Sequence, residues 1–259
     1  MRWLVSLWVL FWHVPVSADT APLMASISVE LAPEQSLPLQ NSIQVTLVTS
    51  EATKLKAALK AWEGIDILQA TATELTLTIK PRPVYNGSVE TAFLADSFVI
   101  DINEPSTKQF ASEFMHWVAQ PWKLSDLTEY VNQYIDQPSY IHGFNFASVV
   151  ATQRSGDCTE YAALTTALAR SLGLPARLVV GTVIVEESSL IQAFGHAWTE
   201  VYYENTWQII DAALLQSTAL KHFYLPASAL TNEGPGYAMA LVHSVGLMPE
   251  KIVAVSNAR

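Results

Sequence analysis

The segment RSGDCTEYAALTTALARSLGLPAR, residues 154–177, decides the fold because it predicts one amphipathic helix with clear start and stop signals. Asp157 is a favourable N-cap, and Glu160 completes a capping box in which Asp replaces Ser or Thr. Cys158, the only cysteine in the chain, therefore occupies the first helical position. Gly173 and Pro175 end the helix. An apolar stripe, predicted to pack into a core, consists of Tyr161, Leu164, Leu168 and Leu172.

The start of this helix is a favourable place for a nucleophile. The helix dipole and unpaired N–H groups stabilise a thiolate relative to a thiol, and the same N–H groups can bind an oxyanion. The alternative is that Cys158 is a small buried apolar residue, as free cysteines commonly are. Position alone does not decide between the two.

A cysteine nucleophile requires a base, and the strands after the helix supply one. His196 begins a predicted strand, Asp211 ends the next, and Glu204-Asn205 can form a two-residue turn between them. With that turn, His196 faces Ala213 and Asp211 lies two positions away on the same face of the sheet. A four-residue loop would make His196 and Asp211 direct neighbours, whereas a slip of one residue would separate them.

Two tryptophans lie on the same predicted face as the histidine. Trp198 and Trp207 are therefore candidates for walling the site from water and binding substrate. Each of these residues also has a purely structural interpretation, in which His196 is a satisfied core residue, Asp211 a turn residue and both tryptophans part of the core.

Residues 19–97 predict a small β-rich N-terminal domain. The strand signals in this region are SISVEL, SIQVTLV, ELTLTIKPRPV and SFVIDI, and PRP is predicted to break the third strand. A helix is predicted over EATKLKAALKAWEG. It has Leu55, Leu59 and Trp62 on one face and ends at Gly64.

Residues 98–259 predict an α+β domain. Two amphipathic helices follow Pro105, with Ser125 or Asp126 able to cap the second, and a further helix runs from Phe146 to Gln153. Strands follow the helices, which favours an antiparallel sheet over a doubly wound parallel one. The stretch after Leu215 predicts loops around short elements.

The first 18 residues predict a secretory signal peptide. Arg2 precedes an apolar run from Trp3 to Trp12, and Ala18 completes a small-residue cleavage site. The run is shorter than the roughly 20 residues that cross a bilayer, and no later segment is apolar enough to do so. We therefore expect a periplasmic or secreted protein without an integral membrane segment.

Composition argues against several classes of function. A formal net charge of −10 disfavours nucleic acid as a partner, since phosphate binding requires clustered Lys and Arg. The single cysteine allows no internal disulfide. The histidines form no HExxH pattern and no second cysteine exists, so the sequence predicts neither a metal site nor a cofactor.

The sequence resembles the bacterial transglutaminase-like domain, a branch of the papain-like cysteine enzymes, from about Ser97 to Leu215. The resemblance is carried by GDC at a helix start, the exit GLPAR, the HAW strand and the strand with W and D, in that order. It implies a papain-like core in which Cys158 is the nucleophile, His196 the general base and acid, and Asp211 the residue that orients the imidazole. Gly156 and Arg177 match the motif as structural positions.

The resemblance also implies a reaction class, acyl transfer through a thioester from an amide of a protein or peptide to water or an amine. Hydrolysis is the expected outcome. The alternative is a non-catalytic envelope module that binds a protein on the same scaffold. A second oxyanion donor is not assigned by sequence; the candidates are Gln133, Tyr134, Asn145 and Gln153. The oligomeric state stays open.

Overall fold

A computed structural model describes residues 26–139, 144–229 and 233–258. The predicted signal peptide lies outside the described residues. The strands are β1 Ser26–Leu31, β2 Ile43–Val48, β3 Trp62–Ala70, β4 Glu74–Tyr85, β5 Gln137–Pro138, β6 Ser155–Gly156, β7 Ala176–Glu186, β8 Ile191–Tyr203, β9 Thr206–Ile210, β10 Lys221–Ala229 and β11 Lys251–Asn257. The helices are α1 Ala52–Leu59, α2 Pro105–Trp117, α3 Leu124–Tyr134, α4 Ala147–Gln153, α5 Cys158–Ser171 and α6 Tyr237–Gly246, with a 3-10 helix at Thr91–Leu94.

Nine strands form one sheet in the order β10-β7-β8-β1-β11-β2-β4-β3, with β9 also paired to β8. The predicted α+β fold is confirmed. The strand β11 lies between β1 and β2, parallel to the former and antiparallel to the latter. The last described strand is therefore held among strands from the start of the chain. The predicted domain boundary at residue 97 stays a prediction.

The N-terminal strands differ from the prediction in three places. Trp62 begins β3 rather than continuing α1. The PRP sequence lies inside β4, because the pairing with β3 jumps from Val84 to Ile79 and leaves a bulge, where prolines need not donate to a neighbouring strand. SFVIDI is not a strand: the N–H of Val99 donates to the Glu233 carbonyl, and its own carbonyl accepts from Ala147.

Helices and strands together enclose α5, so this helix is buried on all sides rather than along one stripe. Its predicted apolar stripe packs against α2 and α3, while Ala162, Ala163 and Ala167 pack in a second cluster with β7 and β8. The helices α2, α3 and α4 are confirmed. The N-cap of α3 is Lys123, not Ser125 or Asp126, because the Asp126 carboxylate reaches back to accept from the Lys123 N–H.

The region after Leu215 is more regular than predicted. It forms β10, which pairs with β7 over eight positions with a bulge at Pro226, then α6 and β11. The bulge allows a proline within the strand, which made the segment look like a loop in sequence.

Within the described ranges, no helix has the length and apolar character needed to span a membrane.

A buried ion pair ties the early strands to the late ones. Arg177 on β7 donates from Nε to the Glu200 carboxylate on β8 at 2.9 Å, and the Trp62 indole of β3 donates to the other carboxylate oxygen at 2.9 Å. The guanidinium carbon lies 3.2 Å from the Tyr85 ring centroid. A buried charge is tolerated only with such partners, which gives the arginine of the GLPAR motif a structural role.

Candidate active site

The start of α5 has the predicted capping geometry. The Asp157 carboxylate accepts from the Thr159 N–H at 3.0 Å, and the Glu160 carboxylate accepts from the Asp157 N–H at 3.0 Å. Cys158 is the first residue of the helix and is only partly buried, whereas Thr159 and Glu160 are buried. The cap uses the N–H groups of Thr159 and Glu160, so the Cys158 N–H is the first-turn donor that remains for an oxyanion.

Glu160 also ties the helix start to the preceding loop. Its second carboxylate oxygen accepts from the Asn145 N–H at 2.9 Å. Burial raises the pKa of Glu160 to about 7, with the Asp157 charge adding to the effect, while the bonds from the Asn145 and Asp157 N–H groups oppose it. The carboxyl therefore organises the turn around the thiol.

Gly156 is needed because the helix start is so tightly folded. A Cβ at this position would lie 2.2 Å from the Glu160 Cβ. We expect Gly156→Ala to lower the free energy of unfolding by about 1–3 kcal/mol, the usual cost of overpacking, and to slow alkylation of Cys158 by iodoacetamide. Urea denaturation and alkylation kinetics measure both effects.

The control for that substitution is Gly246→Ala, where an added Cβ meets no heavy atom within 4 Å. We expect the control to be alkylated as fast as wild type and to be as stable or up to about 1 kcal/mol more stable, since alanine is favoured over glycine in a helix. A Gly156→Ala protein as stable and as reactive as the control would contradict the packing argument.

The hairpin that carries the histidine and the aspartate has the predicted two-residue turn. Glu204 and Asn205 both have positive φ angles, 51° and 62°, as the turns that join twisted strands require. Tyr203 pairs with Thr206, and the register continues to Thr199 and Ile210. His196 and Asp211 consequently point to the same face, and His196 Nε2 lies 2.7 Å from Asp211 Oδ2.

An interruption in the sheet surrounds this pair. One edge of β8 pairs with β7 from residue 191 to 201. On the other edge, β1 pairs at residues 193 and 194 and β9 pairs from residue 199 onward. Among the described residues, positions 195–198 have no strand on that edge, and this gap in the sheet contains His196.

The electrostatics favour a charged imidazole. Burial lowers the pKa of His196, but the charge and hydrogen bond of Asp211, together with a hydrogen bond and charge from Cys158, raise it to about 10. Burial raises the pKa of Asp211, but His196 and the hydrogen bond from Tyr224 more than offset this and keep it below its ordinary value. The imidazole is therefore favoured in its charged form, between the Asp211 carboxylate and the Cys158 side chain.

The structure brings the three candidate catalytic residues together. His196 uses Nε2 for Asp211, and the Cys158 side chain lies close enough to raise the pKa of the imidazole. Nδ1 is the ring nitrogen that the contact with Asp211 leaves unused. The side chains of His196 and Asp211 are only 2% and 3% exposed. Of the three candidate catalytic residues, the partly buried Cys158 is therefore the one that solvent can reach.

The two tryptophans do not form a binding surface. Trp198 is 1% and Trp207 is 3% exposed. Trp198 stacks 6.3 Å from the His196 ring, and Trp207 packs among aromatic side chains and donates to the Gly87 carbonyl. A side chain this buried offers no surface to a substrate, so the substrate-binding interpretation of both is corrected. Trp198 shields the imidazole from behind.

The four candidates for a second oxyanion donor differ in their surroundings. Asn145 is tied to the first turn of α5 through Glu160. The Tyr134 hydroxyl donates to the Ala151 carbonyl, and the Gln133 amide donates to Glu129 on the exposed side of α3. Gln153 is exposed at the end of α4. Asn145 is the candidate that these contacts favour, and its role stays a prediction.

One residue of the site was not found from sequence. Tyr224 on β10 donates from its hydroxyl to Asp211 Oδ2 at 2.8 Å. The alternation in KHFYLPASA could have indicated a strand here, but no sequence pattern places this strand beside Asp211.

Within the described ranges, no group of three or more His, Cys, Asp or Glu side chains could hold a metal ion.

Residues 96–212 match the family model of the transglutaminase-like superfamily. The chain is similar to the solved structure of a candidate cysteine protease from Cytophaga hutchinsonii, at 17% identity and a TM-score of 0.48, over 73% of this chain and 76% of that one. It is also similar to the periplasmic domain of TgpA from Pseudomonas aeruginosa, at 15% identity and a TM-score of 0.44, over 75% and 76%. No curated protein sequence matches significantly. The range matched by the family model includes Cys158, His196 and Asp211.

Proposed function

We propose that this chain, whose residues 96–212 match the family model of the transglutaminase-like superfamily, is an exported thiol-dependent acyl-transfer enzyme. Cys158 is the nucleophile, His196 the base and acid, and Asp211 the residue that orients the imidazole. One observation carries the proposal: a buried His196–Asp211 pair, 2.7 Å apart, lies against the thiol at a helix N-terminus.

The reaction follows from where the protons and charges lie. The Cys158 sulfur attacks the carbonyl carbon of an amide, and the oxyanion that forms accepts from the Cys158 N–H. The imidazolium Nδ1 gives its proton to the leaving nitrogen as the C–N bond breaks, and a thioester remains. Neutral His196 then takes a proton from the acceptor as the acceptor attacks the thioester carbon. The C–S bond breaks, the acid or new amide leaves, and the sulfur and the imidazolium return to their starting state.

Water is the acceptor that we propose, so the enzyme hydrolyses amide or peptide bonds of protein substrates. The support for this choice is that the thiol is partly exposed, while the imidazole behind it is sealed. Export is proposed from the apolar first 18 residues alone.

An activated ester tests the chemistry without a known substrate. We expect the full chain to release a burst of nitrophenolate from p-nitrophenyl acetate, about one equivalent per site, and intact mass spectrometry with peptide mapping to find the acetyl group on Cys158. The matched control, His196→Ala, retains the thiol but not the base, so its deacylation rate should fall by about 10²-fold or more.

Adding an amine such as glycine methyl ester distinguishes the two acceptors. If water is the acceptor, acetate stays the main product; acetylated amine as the main product would instead indicate a transferase. A folded protein that shows no burst and an unreactive Cys158 would overturn the enzyme proposal and favour the non-catalytic binding module.

A further inference from the structure

The Asp211 carboxylate is held by four donors, and one of them comes from a separate strand, β10, beyond the matched family range. Oδ1 accepts from the N–H groups of Ala213 and Leu214, at 3.1 and 3.2 Å. Oδ2 accepts from His196 and from the Tyr224 hydroxyl, at 2.7 and 2.8 Å. Because both oxygens are engaged, the carboxylate cannot rotate, and its orientation fixes that of the imidazole.

Tyr224 is itself held by a residue from the N-terminal strands. Arg82 on β4 donates from Nη1 to the Ile209 carbonyl at 2.7 Å, two residues before Asp211. Its guanidinium carbon lies 5.8 Å from the Tyr224 ring centroid, within the range of a cation–π contact. One side chain therefore contacts both the end of β9 and the ring that donates to Asp211.

We propose that Arg82 and Tyr224 are positioning residues for the acyl-transfer reaction, with Arg82 acting through Tyr224 and β9 to hold Asp211 against His196. This inference rests on the proposed function. It gives the PRP segment a role: the bulge in β4 frees Arg82 from strand pairing and directs it across to β9.

The charges around the carboxylate fit this arrangement. The titratable groups that interact with Asp211 are His196, Tyr224 and His222. Cys158 acts on His196, and Arg82 acts on Tyr224 and His222. Burial and the Asp211 charge raise the pKa of Tyr224 well above its ordinary value, whereas Arg82 lowers it. The hydroxyl therefore stays protonated as a donor, and the negative charge on Oδ2 is shared between two donors. Without the hydroxyl, that charge acts on the imidazole alone.

The test uses p-nitrophenyl acetate with the full chain, because deacylation needs a correctly oriented, neutral His196. We expect Tyr224→Phe to slow deacylation about tenfold, the size of one lost hydrogen bond, and Arg82→Gln to slow it about threefold, because that side chain is exposed and screened. The pH of half-maximal deacylation should rise in Tyr224→Phe, since the undivided carboxylate charge favours the imidazolium.

The double variant tests whether Arg82 acts through Tyr224. We expect it to be slower than Tyr224→Phe by clearly less than threefold, because the part of the Arg82 effect that passes through Tyr224 is already lost and only the contact with β9 remains to be removed. Lys80→Gln is the matched control, since it removes one positive charge from the same strand, and it should match wild type.

The inference is overturned if Arg82→Gln deacylates as fast as Lys80→Gln. It is also overturned if the rate losses of Arg82→Gln and Tyr224→Phe multiply in the double variant, or if the pH of half-maximal deacylation is the same in Tyr224→Phe as in wild type. If Tyr224→Phe does not fold, the comparison of deacylation rates between Arg82→Gln and Lys80→Gln tests the inference. A wild-type protein without a burst would instead refute the proposed function, so the two failures are distinguishable.

Discussion

The Cys158→Ala variant is expected to fold normally. Its turnover should fall by about 10⁴-fold or more, since removal of the nucleophile leaves only binding and oxyanion contacts. The fold should tolerate the change because Cys158 is partly exposed and packs only at the margin of the alanine-rich cluster around α5. Capping by Asp157 and Glu160 does not involve the sulfur. The measurement is burst and steady-state release from p-nitrophenyl acetate, with thermal denaturation in parallel.

Cys158→Ser is the matched variant, because it keeps a nucleophilic atom of nearly the same size but one that His196 activates poorly. We expect it to form little or no acyl-enzyme and to unfold at the wild-type temperature. Steady turnover of Cys158→Ala within about tenfold of the wild-type rate would show that the sulfur is not the nucleophile.

The Asp211→Asn variant is expected to lose on the order of 10³–10⁴-fold in turnover, because the imidazole is then free to adopt the wrong tautomer. The amide can donate to Nε2, which moves the ring proton to Nδ1 and removes the base that faces the thiol. Asp66→Asn is the control, since Asp66 is exposed on β3. Wild-type turnover in Asp211→Asn would contradict the orienting role.

The pH dependence of the same variant follows from the raised pKa of His196. The pKa in the folded protein is about 10, against an ordinary value of 6.5. The interaction with Asp211 therefore stabilises the fold fully below about pH 6.5 and is lost as the pH rises through about 10. We expect the difference in free energy of unfolding between wild type and Asp211→Asn to be largest at pH 6 and to narrow towards pH 10. Urea denaturation at several pH values measures it, and a gap that widens would refute the ion pair.

The local features of the site could be predicted from sequence because they depend on residues close together in the chain. The capping box joins positions three apart, and it placed Cys158 correctly at the first turn of α5. The turn at Glu204-Asn205 has only two residues, so it fixed the register of β8 and β9 and thereby the shared face of His196 and Asp211. The same reasoning failed for the PRP segment, where a bulge that depends on the partner strand β3 overrode the local signal.

Burial was much less predictable than register. Alternation put Trp198 and Trp207 on a face of the sheet but could not show whether that face is open, and strands from the N-terminal part of the chain cover it. For α5, the apolar stripe suggested one packed side, although the alanines on the other side are equally buried. Small residues carry little periodic signal, so a fully enclosed helix resembles an amphipathic one.

By itself, the sequence determined the helix start with its thiol, the hairpin with its histidine and aspartate, and the α+β class, because hydrogen bonds between near neighbours and the period of apolar residues are fixed along the chain. Only the tertiary structure decided that β11 lies between β1 and β2, that α5 is enclosed, that Tyr224 donates to Asp211, and that Arg82 donates to the Ile209 carbonyl. The Tyr224 and Arg82 contacts join residues 13 and 127 positions apart, and the strands on either side of β11 lie still further from it along the chain. Such pairings are selected by the burial and strand pairing of the whole chain, which no local pattern encodes.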